Sequence, residues 1–324
     1  MKTCTSFLYL TFLTTLVVTP ALYPSHATHT CAMSSSSSSS STSSSSSTSL
    51  QEITTPQNAT RASTATKVAH EVLGTLLFDI GKRYAADQSK KENARKAIAF
   101  YQAAINQHDL KALFSLSVCY RTGTGVEMDL KKSFELCELA ANLGDASAQC
   151  ALGSLYMNGI GVEKNVEKAL EQYKRAAAQG NPIAQFLLAV RYKNGNGIQK
   201  DVRKAVELLQ RSAEQGFALA QFSLALCYEI GLGVEQNLQK SFEFYQRAAA
   251  QGHTDAQCAL GDMYETGSGV EQNFEKAVEY YQKSAAKNSF AQVRLGILCR
   301  NGIGTRKNLS KATEHVWHIH PRNA

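Results

Sequence analysis

The heptapeptide GIGVEKN, Gly159 to Asn165, holds a Gly-x-Gly pair. Such a pair can cradle a phosphate when a strand precedes it and a further glycine opens the next helix. Its meaning is decided by how often it returns. Gly123 and Gly125, Gly195 and Gly197, Gly231 and Gly233, Gly267 and Gly269, and Gly302 and Gly304 are further pairs; the step is 36 residues, except the last, which is 35. A fixed period of this size is the signature of a solenoid.

The flanks keep the same step. Upstream, Ala112, Ala148, Ala184, Ala220, Ala256 and Ala291 align. Four residues on stand Leu116, Leu152, Leu188, Leu224, Leu260 and Leu295, and four further on Tyr120, Tyr156, Tyr192, Tyr228, Tyr264 and Cys299. Spacing of i, i+4, i+8 marks one face of a helix. Small residues between them (Gly153, Ala189, Ala225, Gly261) let a neighbouring helix approach. Downstream, Asn93, Asp129, Asn165, Asp201, Asn237, Asn273 and Asn308 form a column of N-caps, whose side-chain oxygens accept from unpaired backbone N–H groups. A second helix follows, as in Val166 to Gln179, with an apolar face of Ala169, Tyr173, Ala176 and Ala177. Gly144, Gly180, Gly216 and Gly252 end these helices in the left-handed conformation, and Asn288 is expected to do the same in the sixth copy.

The unit is therefore helix, glycine loop, helix, turn. A degenerate first copy begins near Leu73, with Ile80, Gly81 and Tyr84 in register but Asp87 and Ser89 in place of the glycines. Seven helix pairs, 14 helices, are expected in one all-α solenoid over residues 69–324. Length alone would have favoured two compact domains, a prior that the repeat overrules. The flanking helices and the multiple occurrence remove the phosphate-site reading, which needs a βαβ setting.

The chain has 324 residues, a formal charge of +7, 44% hydrophobic and 19% charged residues. The positive excess is spread, without a dense Lys/Arg run, so a nucleic-acid partner is not favoured. Residues 1–27 read as a signal peptide: Lys2, an apolar stretch from Phe7 to Val18, Pro20, and the small-x-small Ser25-His26-Ala27. The stretch falls short of the about 20 residues that span a bilayer, and the alternative is a short uncleaved anchor. Export is the resulting expectation. Residues 28–68, with the serine tract from Ser34 to Ser49, are expected to form a disordered linker. Asn58-Ala59-Thr60 is a glycosylation sequon should the host be a eukaryote.

The unit A-x-A-Q-x-x-L-G-x-x-Y-x-x-G-x-G-V-x-x-N-x-x-K-A, as in Ala146 to Ala169, resembles the Sel-one-like repeat (SLR), over about residues 73–320. The related tetratricopeptide repeat has a period of 34 and lacks the Gly-x-Gly-Val loop. The resemblance implies a right-handed superhelical α-solenoid that acts as an adaptor or scaffold in protein complexes. It associates exported bacterial members with host contact or envelope processes, and eukaryotic ones with membrane-protein quality control. A cysteine-rich branch of the family pairs cysteines across the two helices of each repeat, and some members have been described as binding or cleaving β-lactams. Here Cys150 and Cys258 occupy the first-helix position, but Ala177 and Ala285 stand where the partners would be. An envelope enzyme or peptidoglycan-fragment binder is thus the alternative, disfavoured by the missing ladder.

The remaining features have plain readings. Cys119 and Cys227 share a column with Leu155, Met263 and Leu298, and Cys137 one with Tyr173, Leu209, Tyr245 and Tyr281, so these thiols fill the core. Lys96, Lys132, Lys168, Lys204, Lys240, Lys276 and Lys311 form a column, and Glu135, Glu171, Glu207, Glu243, Glu279 and Glu314 stand three residues after the last six. The ridge is expected to neutralise itself by i, i+3 pairing. His315, His318 and His320 fall short of a zinc site and suit a polar end cap. No spacing points to a catalytic triad or dyad, a cofactor or a metal, and a non-enzymatic chain is expected. Positions that break the repeat mark candidate protein-binding residues. Arg191 stands among Cys, Leu and Met; Asp262 among Val118, Val190, Leu226 and Ile297; Arg294 among Ser115, Ala151, Leu187, Ser223 and Ala259. All three fall on first helices, which in such solenoids line the concave face, where a protein or peptide would be gripped.

Overall fold

The computed structural model describes residues 56–87, 91–308 and 310. Among them are thirteen helices and no strand: α1 (Pro56–Ala86), α2 (Lys91–Asn106), α3 (Leu110–Thr122), α4 (Leu130–Asn142), α5 (Ala146–Asn158), α6 (Val166–Ala178), α7 (Pro182–Asn194), α8 (Val202–Glu214), α9 (Ala218–Ile230), α10 (Leu238–Ala250), α11 (Thr254–Thr266), α12 (Phe274–Ser284) and α13 (Ser289–Asn301). The fold is an all-α solenoid of tandem helix pairs. The signal segment, the serine tract, the fourteenth helix and the three C-terminal histidines lie outside the described residues. α1 begins at Pro56, so the boundary drawn at residue 68 falls inside a helix, and the sequon lies in its first turns.

Contacts divide the chain into two compact units, separated between Leu143 and Gly144. In the first, α1 packs on α2, α2 on α3 and α3 on α4. Ile98, Tyr101, Leu116 and Cys119 are buried at its centre. In the second, consecutive helices from α5 to α13 pack on one another. Its core includes Phe186, Leu209, Leu224, Tyr245, Leu260, Tyr281 and Leu295.

The amphipathic reading of the second helices holds: Ala169, Tyr173, Ala176 and Ala177 of α6 are all buried. Their tyrosines explain the small column opposite. A Cβ on Gly153 would lie 2.7 Å from the Tyr173 ring, and Gly261 and Gly81 stand in the same relation to Tyr281 and Tyr101. Where the repeat carries Leu209 or Cys137 instead, Ala189 or Ser117 occupies the small position. Nothing in the structure explains why Ala225 suffices with Tyr245.

The loop that opened the sequence reading is turn chemistry. Gly159 closes α5 at φ +69°, its N–H donating to the Leu155 carbonyl. Six residues on, the Asn165 N–H donates to the Tyr156 carbonyl at 2.9 Å, and its side chain accepts from the Lys168 N–H at 2.9 Å. The second glycine of the pair serves a different purpose. At Gly269 a Cβ would lie 2.6 Å from the Leu238 carbonyl oxygen, so the loop rests on the start of the preceding repeat's second helix.

Two expectations are corrected. Asn288 does not close α12 in the left-handed conformation. It lies at φ −126° and caps α13, accepting from the Ala291 N–H. The last step is one residue short, which removes the glycine turn and moves Asn288 into the role of Asp145 and Asn181. Among the described residues, the lysine column makes no ion pair with the glutamates three residues on. Each ammonium lies over the tyrosine of the preceding helix instead, 4.7 Å from the ring centroid for Lys132 on Tyr120 and 5.1–5.9 Å for Lys96, Lys168, Lys204, Lys240 and Lys276 on their tyrosines. The ring's negative face attracts the cation, and the long stem covers apolar surface on the way.

Candidate functional site

The first helices α5, α7, α9, α11 and α13 carry the positions at which the repeat varies. The three candidate residues lie there at different depths of involvement. Arg294 of α13 is engaged: its Nε donates to Glu265 Oε2 at 3.0 Å, and Nη2 bonds Oε1 of the same carboxylate. Tyr281 donates its hydroxyl to Glu265 Oε2 at 2.9 Å. The Glu265 side chain is only 10% exposed, so the bidentate pair and the phenol supply the partners that its burial demands. Burial, with Glu265 and Asp262 adjacent, drives the Tyr281 phenol far above its usual pKa.

Asp262 of α11 belongs to the same cluster but makes no side-chain hydrogen bond among the described residues. It is half-buried, and burial, reinforced by Glu265 and opposed by Arg294, pushes its carboxyl up to about 6. Arg191 of α7 is not part of this cluster. It too is half-buried, its charge opposes the burial-driven rise of the Tyr173 phenol, and it makes no hydrogen bond or ion pair among the described residues. Tyr173 is hydrogen-bonded at 3.0 Å to Ser154, which occupies the Asp262 column.

The structure adds residues that the sequence reading left aside. Glu229 of α9 and Glu265 of α11 share a column, and Tyr245 donates to Glu229 at 2.6 Å as Tyr281 does to Glu265. The same column holds Met157 in α5 and Lys193 in α7. Lys193 is half-buried, and burial lowers its pKa. The signal was present: a tyrosine recurs 16 residues after each of Met157, Glu229 and Glu265, with Leu209 after Lys193. A buried glutamine ladder was equally legible and is structural. Gln149, Gln185 and Gln221 accept from Gln179, Gln215 and Gln251 at 2.7, 2.9 and 2.8 Å.

The six described cysteines are buried, and desolvation raises Cys119 and Cys227 to about 11, which makes them poor nucleophiles. Among the described residues no cluster of His, Cys, Asp or Glu could hold a metal ion, and no helix is long and apolar enough to cross a membrane.

The Sel1 repeat family model matches residues 77–109, 110–145, 146–181, 182–217, 218–253, 254–289 and 289–315. The chain belongs to the Sel1 repeat family, whose repeats typically mediate protein–protein interaction and generally act as non-enzymatic scaffolds. No curated protein matches the sequence. Among solved structures, it is similar to a protective antigen of uropathogenic Escherichia coli strains with an SLR fold, at 30% identity and a TM-score of 0.67, over 75% of this chain and 52% of that one. It is also similar to a Sel1 repeat protein from Oxalobacter formigenes, at 28% identity and a TM-score of 0.65, over 75% of this chain and 96% of that one. The chain thus spans about half the length of the E. coli antigen.

Proposed function

We propose that the chain is an exported, non-enzymatic adaptor that holds a protein or peptide on the first-helix face of its later repeats, α7 to α13, in host contact or at the cell envelope. One observation carries this reading. Arg191 and Asp262 keep half-buried charges without hydrogen bonds, in columns that are otherwise almost wholly apolar. A half-buried charge without a bonding partner in the protein is costly, and a bound partner would supply such bonds. The signal-like N-terminus supports export, and the similarity to a protective antigen of uropathogenic E. coli strains is in keeping with host contact.

Affinity capture tests the reading. The full chain and the double variant Arg191→Gln, Asp262→Asn are incubated in parallel with envelope and host-cell extracts. The expected result is a protein retained by the parent chain and lost by the variant. Identical sets on both baits would overturn the placement of the binding face.

A further inference from the structure

We propose that the exposed apolar stripe of α1 is a dimerisation face, on which α1 of a second copy of this chain packs antiparallel about a two-fold axis. The inference is independent of the partner proposed for α7 to α13.

In the later copies of the repeat this face is covered. Ala112 and Leu116 of α3 are buried among residues of α2, and the alanines that share the Ala112 column in α5, α7, α9, α11 and α13 are all 0% exposed. Leu76 and Ile80 of α1 hold the same two columns. No helix precedes α1 among the described residues, and Leu76 is 56% exposed. A repeat that ends a solenoid needs a wettable outer face, and α1 offers the opposite. Val68, Val72 and Leu73 are exposed as well, Val72 to 63%. With Ala69 and Leu76 they recur at steps of three and four, turned away from Gly74 and Gly81, which abut Gln107 and Tyr101. Asp79 and Arg83, both exposed, bound the stripe at its C-terminal end.

α1 is complementary to itself when antiparallel. It has 31 residues against 13 in α3, which makes it about 46 Å long at 1.5 Å per residue. Along the stripe the residues change from small to large: Ala62, Ala65 and Ala69, then Val72 and Leu76. Pairing centred between His70 and Glu71 sets Ala69 level with Val72 of the second copy and Ala65 level with Leu76 of the second copy, small against large. It also brings Arg61 nearly level with Asp79 of the second copy. The Asp79 carboxylate makes no hydrogen bond or ion pair among the described residues. A two-fold contact forms each of these pairs twice, and opposite charges so placed fix its register.

Other occupants fit less well. Residues 28–55 hold Met33, Leu50 and Ile53 as their large apolar side chains, too few and too scattered for an apolar helix face. Head-to-tail stacking would lay the second helix of the seventh copy on α1. The second-helix column that meets the next repeat holds Ile98, Leu170, Val206 and Phe242, but the seventh copy has Thr313 there.

Sedimentation equilibrium of the full chain across a wide concentration range tests the proposal, with neutral and anionic phospholipid vesicles as a separate arm. The expected result is a reversible dimer. Leu76→Glu should weaken it about a hundredfold or more, because a two-fold contact carries each substitution twice. Its helix content by circular dichroism should match the parent's, since Leu76 is exposed in the single chain. Should it fail to fold, Val72→Ser takes its place, with an expected weakening of about tenfold. Arg61→Glu and Asp79→Lys should each weaken the dimer about threefold and together restore it, a rescue that parallel pairing would not give. A chain monomeric at every concentration, a dimer indifferent to the stripe variants, or a charge exchange without rescue would each overturn the proposal. A monomer that sediments with vesicles, and loses them on Leu76→Glu, would overturn it in favour of a lipid surface.

Discussion

The cluster on α11–α13 and its counterpart on α5–α7 occupy the same columns of one repeat and solve the same problem differently. In both, a buried tyrosine hydroxyl needs a partner. Tyr173 finds it in the neutral Ser154 at 3.0 Å, with Met157 and Leu187 filling the places of Glu265 and Arg294. Tyr281 finds it in Glu265, which then requires Arg294, and Asp262 is left beside them as an unbonded carboxylate. The glycine loop between the two helices and the Asn cap that follows it are alike in the two regions, although the α12–α13 step of the repeat is one residue shorter than the α6–α7 step. The repeat fixes the scaffold, and the first-helix columns are where charge can be varied without altering it.

The comparison breaks most sharply at Arg294. Arg294→Ala should destabilise the chain by about 3 kcal/mol in chemical denaturation, because it strands the buried Glu265 carboxylate with the phenol alone. A loss below about 1 kcal/mol would show that water replaces the guanidinium. Next comes Asp262→Asn, of opposite sign. The folded carboxyl at about 6 lies above the ordinary carboxylate value of 3.8. Its contribution is therefore intact below about pH 4 and is lost as pH rises through 6, so at neutral pH the ionised group costs stability. The Asn variant should be more stable by about 1–3 kcal/mol at pH 7.5, with the gain fading toward pH 4. A gain independent of pH would refute burial of the charge as the cause. Ser154→Ala, in the same column of the neutral region, should instead cost about 1 kcal/mol at every pH in that range, through the orphaned Tyr173 hydroxyl. The smallest effect should be common to both regions. Lys168→Ala and Lys276→Ala each remove an ammonium from a tyrosine face and should cost about 0.5–1 kcal/mol, with little salt dependence compared with an ion pair. A strong salt dependence would restore the Lys–Glu ridge expected from sequence.

That ridge shows where sequence reading fell short. The column of lysines was visible, and so were the glutamates three residues on. The tyrosine column, 12 residues upstream of the lysines, was visible too. Spacing along one helix favours i, i+3 partners, whereas the observed partner comes from the preceding helix and depends on how the two pack. Asn288 is a similar case: the 35-residue step was legible, but which position lost its residue was settled only by the geometry of the α12–α13 turn.

The sequence by itself determined the all-α repeat, the helix faces, the N-caps from Asp129 to Asn273, and the loop as a turn, because each rests on local periodicity or on backbone chemistry confined to a few residues. It also singled out Arg191, Asp262 and Arg294 as breaks in the pattern. Tertiary structure alone decided what those breaks do: Arg294 is bound to Glu265, Asp262 is left unsatisfied beside it, and Arg191 stands by Tyr173 away from both. The physical reason is that a side chain's charge is set by its own chemistry, but its partners and its exposure to water are set by helices one repeat away.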